Sequence, residues 1–276
     1  MSHQKGNKLQ KVLADAGLGA RREMERWIEA GRVTVNGKRA ELGIRVRATD
    51  AILIDGQRLI TARPLARQRR VLCYHKPEGE VCTRRDPQGR PTVFEHLPAL
   101  KRGRWIAIGR LDVSSSGLLL FSNEGALAHR LMHPSSGVER EYAVRVLGQV
   151  TDQVLARLKA GVMLPDGLAR FEAIREVGGT GANRWYHVTL REGRNRQVRR
   201  VWASQGLPVT RLIRIRFGPV KLRRGLRSGH WKELSTAAVA ALVDGIGMPS
   251  APEASPETAK AVAVRHRRPP RRRVVR

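Results

Sequence analysis

Residues 109–125 read GRLDVSSSGLLLFSNEG. Asp112 stands between an apolar run that ends at Ile108 and a turn of small residues, Ser114, Ser115, Ser116 and Gly117. Leu118 then opens a second apolar run. The pattern predicts strand, loop and strand, with a carboxylate in the loop. Asp often caps such turns by bonding nearby backbone, so this stretch alone fits a structural cap as well as a reactive group. Working outward, alternating or continuous apolar runs predict strands at 71–75, 105–108, 118–122, 141–147, 185–191 and 208–217. Helical spacing predicts helices at 126–132, 152–159, 196–204 and 236–244. Strands outnumber helices and do not alternate strictly with them. The expectation is an α+β fold with a mainly antiparallel sheet, rather than a doubly wound one.

Two more stretches draw attention. EREYAVRV, residues 139–146, sets Tyr142 in a strand, where it reads as an ordinary strand aromatic or as a ring facing a ligand. EGRNRQVRRVW, residues 192–202, gathers Arg194, Arg196, Arg199 and Arg200 around Val198, Val201 and Trp202 at helical spacing. It reads as a basic amphipathic helix. The loop 76–98, KPEGEVCTRRDPQGRPTVFEHLP, adds Arg84, Arg85 and Arg90, which fit either an RNA clamp or a solvated loop.

Ahead of these lies a smaller unit, expected over residues 8–63. Leu9, Val12, Leu13 and Ala16 recur at helical spacing before Gly17; Met24, Trp27 and Ile28 mark a second helix that ends at Gly31. Asn36-Gly37 is a strong hairpin signal and Asp55-Gly56 marks another tight turn. Arg21 and Arg22 open the second helix and Arg26 follows one turn later; Arg32 and Lys38 flank the hairpin. Cations beside helix N-terminal amides favour phosphate, although a single basic face can be merely solvated. Residues 1–7 are expected to be flexible and 64–70 to form a basic linker. Residues 71–247 should form the larger domain. Residues 248–276 have no aromatic ring and, after Ala259, eight Lys/Arg and no acid; they are expected to be a disordered cationic arm.

Composition narrows the classes. The chain has 276 residues, two domains' worth at about 150 each. Lys and Arg number 53 against 24 Asp and Glu, a net charge of +29, and 43 of the cations are arginine. Such an excess favours a polyanionic partner, with nucleic acid ahead of an anionic membrane; Arg can grip phosphate through paired hydrogen bonds, and the bias toward arginine equally fits a GC-rich genome. Aromatics are only 4%, which argues against a platform of many stacked rings. Cys73 and Cys82 give no disulfide framework or Cys-rich zinc site. The longest apolar run, residues 237–243, is far short of a membrane span, and no signal-peptide pattern opens the chain. A soluble cytoplasmic monomer is expected. His129 and His133 stand four apart but have no evident third ligand, so no metal site is expected.

The stretches at 109–125, 139–146 and 192–202, with the loop 76–98 and RLIRIRFGPVKL at 211–222, together resemble the RsuA/RluB branch of the pseudouridine synthases. Residues 8–46, KLQKVLADAGLGARREMERWIEAGRVTVNGKRAELGIRV, resemble the S-four-type (alpha-L) RNA-binding module found with that branch. Two departures are Ala20 and Ser115, where the family usually carries Ser and Thr. The resemblance is closest to members that act on large-subunit ribosomal RNA. It implies a pseudouridine synthase fold, uridine isomerisation in that RNA during ribosome maturation, and no cofactor. It places the catalytic carboxylate at Asp112, with Arg199 as its guanidinium partner. It also implies substrate contacts from Tyr142, Arg199 and Arg110, and RNA contacts from Arg21, Arg22, Arg26, Arg32, Lys38, Arg84, Arg85, Arg90, Arg194 and Arg196. A catalytically idle RNA-binding protein would explain the charge but not the matching Asp, Tyr and Arg. No DNA-reading helix motif is evident. A glycoside hydrolase would need a second carboxylate, and nothing pairs Asp86 or Glu95 with Asp112.

Overall fold

The computed structural model describes residues 6–59, 69–100 and 103–248. Of the expected N-terminal segment 1–7, linker 64–70 and tail 248–276, all but a few residues lie outside the described ones.

The smaller unit contains β1 (Asn7–Lys8), α1 (Leu9–Asp15), α2 (Arg21–Glu29), β2 (Val33–Val35), β3 (Lys38–Arg39), β4 (Arg45–Val46), β5 (Ile52–Ile54) and β6 (Gln57–Arg58). Four strands pair in the order β3-β2-β5-β6. Leu9 and Leu13 from α1, Met24 and Ile28 from α2, and Val33 and Ile52 from the sheet form its core. Asn36 and Gly37 both have positive φ, the backbone that a two-residue hairpin turn requires. Burial of Met24 and Ile28 leaves Arg21, Arg22 and Arg26 exposed. Ala20 occupies the cap position of α2 in an extended conformation and has no side-chain oxygen to offer. Its own amide is met by the Glu23 carboxylate at 3.2 Å.

The larger unit contains β7 (Val71–Lys76), β8 (Ile106–Ile108), β9 (Ser116–Ser122), α3 (Gly125–Met132), β10 (Arg140–Leu147), α4 (Asp152–Ala160), β11 (Val162–Leu164), β12 (Gly167–Ala169), β13 (Ala173–Thr180), β14 (Asn183–Leu190), α5 (Gln197–Ala203), β15 (Val209–Phe217), β16 (Val220–Lys221), β17 (Trp231–Glu233) and α6 (Thr236–Asp244). Among the described residues its main sheet has nine strands, with the path β13-β14-β10-β15-β9-β7-β17; β16 pairs with β15 and β8 with β9. Every pairing is antiparallel except β9 with β15, where Ser116 and Gly117 align with Ile213 and Arg214. The architecture is therefore α+β with a mainly antiparallel sheet.

Alternation along the strands sends successive side chains to opposite faces. The front face buries Leu72, Leu119, Phe121, Val144 and Val188 against Leu158 of α4 and Val201 and Trp202 of α5. Behind β7 and β9, Val71, Cys73, Leu118 and Leu120 pack on α3 and α6. The back of β10 and β14 is half-exposed and polar.

β13 and the β11–β12 hairpin were not among the sequence-predicted strands. β13 is exposed along nearly its whole length, holds Gly178 and Gly179, and breaks register beside Gly178. It pairs on one side only, so it lacks the apolar alternation that marks a half-buried strand. β9 begins at Ser116, two residues earlier than expected, because Gly117 adopts φ +103 and lets β9 approach the backbone of Arg214. None of the described helices is long and apolar enough to cross a membrane.

Candidate active site

The loop between β8 and β9 carries Asp112, whose side chain is 31% exposed and so within reach of a ligand. Its backbone is fastened from several sides. Ser115 N donates to Asp112 O at 3.0 Å, closing a tight turn. The amide of Gly79, in the loop after β7, donates to Val113 O at 2.9 Å. Cys82 Sγ bonds the carbonyl of Leu111 at 3.3 Å and accepts from its amide at 3.4 Å. Lys76 Nζ donates to Ser115 O and to Pro77 O, both at 2.8 Å. Arg199 Nη2 donates to Ser114 O at 2.8 Å. A carboxylate on a loop tied in this way has little freedom to wander, which is the preorganisation that catalysis requires.

Lys76 is fully buried at the end of β7. Burial pulls its pKa down, while the charges of Glu80, Glu78 and Asp112 push the other way. Nothing in the sequence-level reading singled it out, nor Glu78. The only prior signal was a lysine ending an apolar strand, immediately ahead of Pro77.

Arg199 comes from α5 and reaches the Asp112 loop through the Ser114 carbonyl. Its Nη1 donates to Val209 O at 2.8 Å. Burial and the charge of Arg196 lower its pKa, and Asp112 and Glu78 raise it, so Asp112 lies within its field. Among the described residues, the guanidinium within 4 Å of the Asp112 carboxylate is that of Arg196, with Nη1 at 3.9 Å from Oδ2. Arg196 caps α5 with φ +48, a left-handed conformation uncommon for a residue with Cβ. Thus Arg196, read from sequence as an RNA contact, sits closer to Asp112 than Arg199 does.

Tyr142 lies on the front face of β10 and is 8% exposed. In register it stands between Val188 and Arg214. Arg214 is buried, donates from Nε to Leu118 O at 2.7 Å, and lies beside Gly117 at the end of the Asp112 loop. Sequence reasoning passed over it because alternation alone gives no reason to bury an arginine. Arg110 is exposed and precedes the loop.

The remaining candidates divide by their partners. Arg21, Arg22, Arg26, Lys38 and Arg85 are exposed. Arg21 and Arg22 border a cleft of about 330 Å³ together with Arg104, Asn123 and His129. Arg32 is held by Asp55 at 2.5 Å and lies over the Trp27 ring. Arg84 lies over Phe94 and donates to Trp105 O, and burial lowers its pKa. Arg90 pairs with Asp86 at 2.8 Å, and this hydrogen bond holds the Asp86 carboxyl at about 2. Arg194 pairs with Glu192 at 2.5 Å and caps the carbonyls of Asp166 and Gly167. These four are committed to the fold as well as basic.

Neither Asp86 nor Glu95 is brought to Asp112: Asp86 serves Arg90, and Glu95 accepts from the amide of Thr92. His133 accepts from Ser135 N at 3.2 Å beyond the end of α3, with its ring centroid 5.7 Å from that of His129. Among the described residues no group of three metal-ligating side chains gathers.

Comparisons with known proteins bear on the family and the fold. A family model described as RNA pseudouridylate synthase matches residues 70–204, and an S4 domain model matches residues 8–52. The chain is 57% identical over 260 residues to "Ribosomal large subunit pseudouridine synthase B" of Escherichia coli K12, covering 93% of this chain and 87% of that protein. It is 57% identical over 250 residues to the protein of that name from Haemophilus influenzae, with 90% and 70% covered. A crystal structure of a pseudouridylate synthase aligns with a TM-score of 0.60 at 26% identity, over 86% of this chain and all of that one. With the fold, the fastened aspartate loop and these matches together, the chain belongs to the RNA pseudouridine synthases, a family of isomerases, and carries an S4 domain ahead of the synthase domain.

Proposed function

We propose that this protein converts a uridine of large-subunit ribosomal RNA to pseudouridine, with Asp112 as the reacting carboxylate, as a step in ribosome maturation. The observation that carries the proposal is the Asp112 loop: an accessible carboxylate whose backbone is held by Lys76, Gly79, Cys82 and Arg199, with the Arg196 guanidinium 3.9 Å away. The names of the relatives supply the class of RNA.

The chemistry breaks the bond between ribose C1′ and uracil N1 and makes one between C1′ and C5. The C5 hydrogen leaves as a proton and N1 takes one up. No electron pair is gained or lost overall and no group is donated, so the reaction balances without a cofactor. A base in a helix is out of reach, so the uridine must be flipped out. Asp112 meets the flipped nucleotide, as nucleophile or by promoting glycosidic cleavage. Arg196 places its guanidinium beside the carboxylate and Arg199 holds the loop that carries it. Tyr142 meets the base and accepts or relays the C5 proton. Arg110 holds the neighbouring backbone. The exposed Arg21, Arg22, Arg26 and Lys38 of the smaller unit grip RNA phosphates away from the reaction.

The test is Asp112→Asn in a tritium-release assay on RNA labelled at uracil C5. The variant keeps the side chain's size and loses its charge. Release should be abolished while RNA binding stays within about twofold, because many arginines share the binding. Near-normal turnover would remove Asp112 from the mechanism.

A further inference from the structure

The back of the main sheet offers a second place for RNA. On β10, Glu141, Ala143 and Arg145 face away from Tyr142, Val144 and Val146, by strand alternation. Behind β7 and β9 that side is covered by α3 and α6. Behind β10 and β14 it is half-exposed. One cross-strand row there places Trp185, Arg145 and Arg211 side by side on β14, β10 and β15.

Two like charges directly opposite each other destabilise a sheet. The acids on this face do not relieve the pair. Glu141 is taken by Arg216 at 2.8 Å and His187 at 3.4 Å, and Glu139 by Arg216 and Arg191. Among the described residues, neither Arg145 nor Arg211 is in an ion pair; Arg145 Nε donates to the Thr210 hydroxyl at 2.9 Å. The same row holds the half-exposed indole of Trp185 on a polar face. Unpaired cations beside an aromatic ring on an open sheet match the chemistry of unpaired RNA: phosphates meet guanidinium groups and a base stacks on the ring.

We propose that Trp185, Arg145 and Arg211 form a second RNA-binding surface on the opposite face from Tyr142, which takes an unpaired segment of the same substrate RNA as it wraps round the sheet. This rests on the RNA-modifying reading above and extends the substrate beyond the reacting uridine.

The experiment compares the full chain with Arg145→Gln/Arg211→Gln and with Trp185→Leu. Binding and tritium release are measured on a short hairpin around the modified uridine, too short to round the sheet edge, and on a long large-subunit rRNA transcript. Circular dichroism checks that each variant is folded. On the hairpin, affinity and turnover should match the parent. On the transcript, the double variant should lose on the order of tenfold in KM with kcat unchanged. Its log affinity should fall less steeply with log salt by about 1.4, two contacts at roughly 0.7 each for single strands. Trp185→Leu should weaken transcript binding without changing the salt slope. Transcript binding equal to the parent's would overturn the proposal, as would equal losses on both RNAs, which would place these residues in the front site or the fold. Failure of the parent protein to release tritium from either RNA would count against the isomerase reading, and the binding comparison would still decide the surface.

Discussion

Gly117→Ala should damage both stability and catalysis. Gly117 closes the Asp112 loop and takes part in the one parallel strand pairing described in the main sheet, opposite Arg214. A Cβ built there would lie 2.3 Å from Arg214 O and 2.7 Å from Arg214 N, both backbone atoms that cannot swing aside. An ordinary contact requires about 1 Å more, so β9 and β15 must separate by that much. Its φ of +103 adds a second penalty, because residues with Cβ rarely adopt it. The backbone strain costs about 1–3 kcal/mol and the overpacking about 1–3 kcal/mol. Together these make roughly 2–6 kcal/mol, a large share of a typical stability of about 5–15 kcal/mol. At about 2–4 °C per kcal/mol for a domain this size, the larger unit should melt roughly 4–24 °C lower. The same separation displaces Ser115 and, through its carbonyl, the anchor to Lys76. A misplacement of about 1 Å can cost on the order of 100-fold in rate. Differential scanning calorimetry and tritium release measure the two effects. Parental melting together with parental turnover would refute the claim that this close approach sets the loop.

Lys76→Met keeps the length of the side chain but leaves the carbonyls of Ser115 and Pro77 without their buried donor; kcat should fall at least tenfold with KM for RNA nearly constant, and an unchanged kcat would show that the lysine does not position the loop. Ala20→Ser supplies the missing cap oxygen to α2, whose cap residue is already extended; urea unfolding should show the smaller unit stabilised by about 1 kcal/mol, and no gain would mean that the Ala20 carbonyl, which accepts from the amides of Glu23 and Met24, already satisfies the helix end. The Arg70 guanidinium, at 2.6 and 2.7 Å from Glu233, holds that carboxyl below its ordinary range. A lowered folded pKa contributes stability above the unfolded value near 4.5 that is lost as pH falls through the folded one. Glu233→Gln should therefore narrow the stability difference from the parent below about pH 4, and solvent screening keeps the effect at neutral pH to no more than about 1 kcal/mol. A difference that stays constant from pH 7 to pH 3 would contradict that linkage.

Much of the fold was legible because apolar periodicity and turn residues act locally. The runs at Val71, Leu118 and Tyr142 became central strands since both of their neighbours are strands and their alternation is enforced by burial. Asn36-Gly37 marked its hairpin because few residues tolerate two positive φ values in a row. β13 was not legible: an edge strand with one partner and an exposed face needs no apolar alternation. Of the candidate site residues, Asp112, Tyr142 and Arg199 stood out through their motifs. Lys76 and Arg214 did not, because their roles depend on carbonyls of residues distant in sequence, Ser115 and Leu118. The order of Arg196 and Arg199 around Asp112 depends on the left-handed turn at Arg196, which the spacing of arginines does not encode.

The most direct test maps pseudouridines in large-subunit ribosomal RNA from cells that lack this protein and are complemented with the parent or with Asp112→Asn. One pseudouridine should vanish with the protein, return with the parent and stay absent with the Asn variant. A map identical in all three strains would contradict the account.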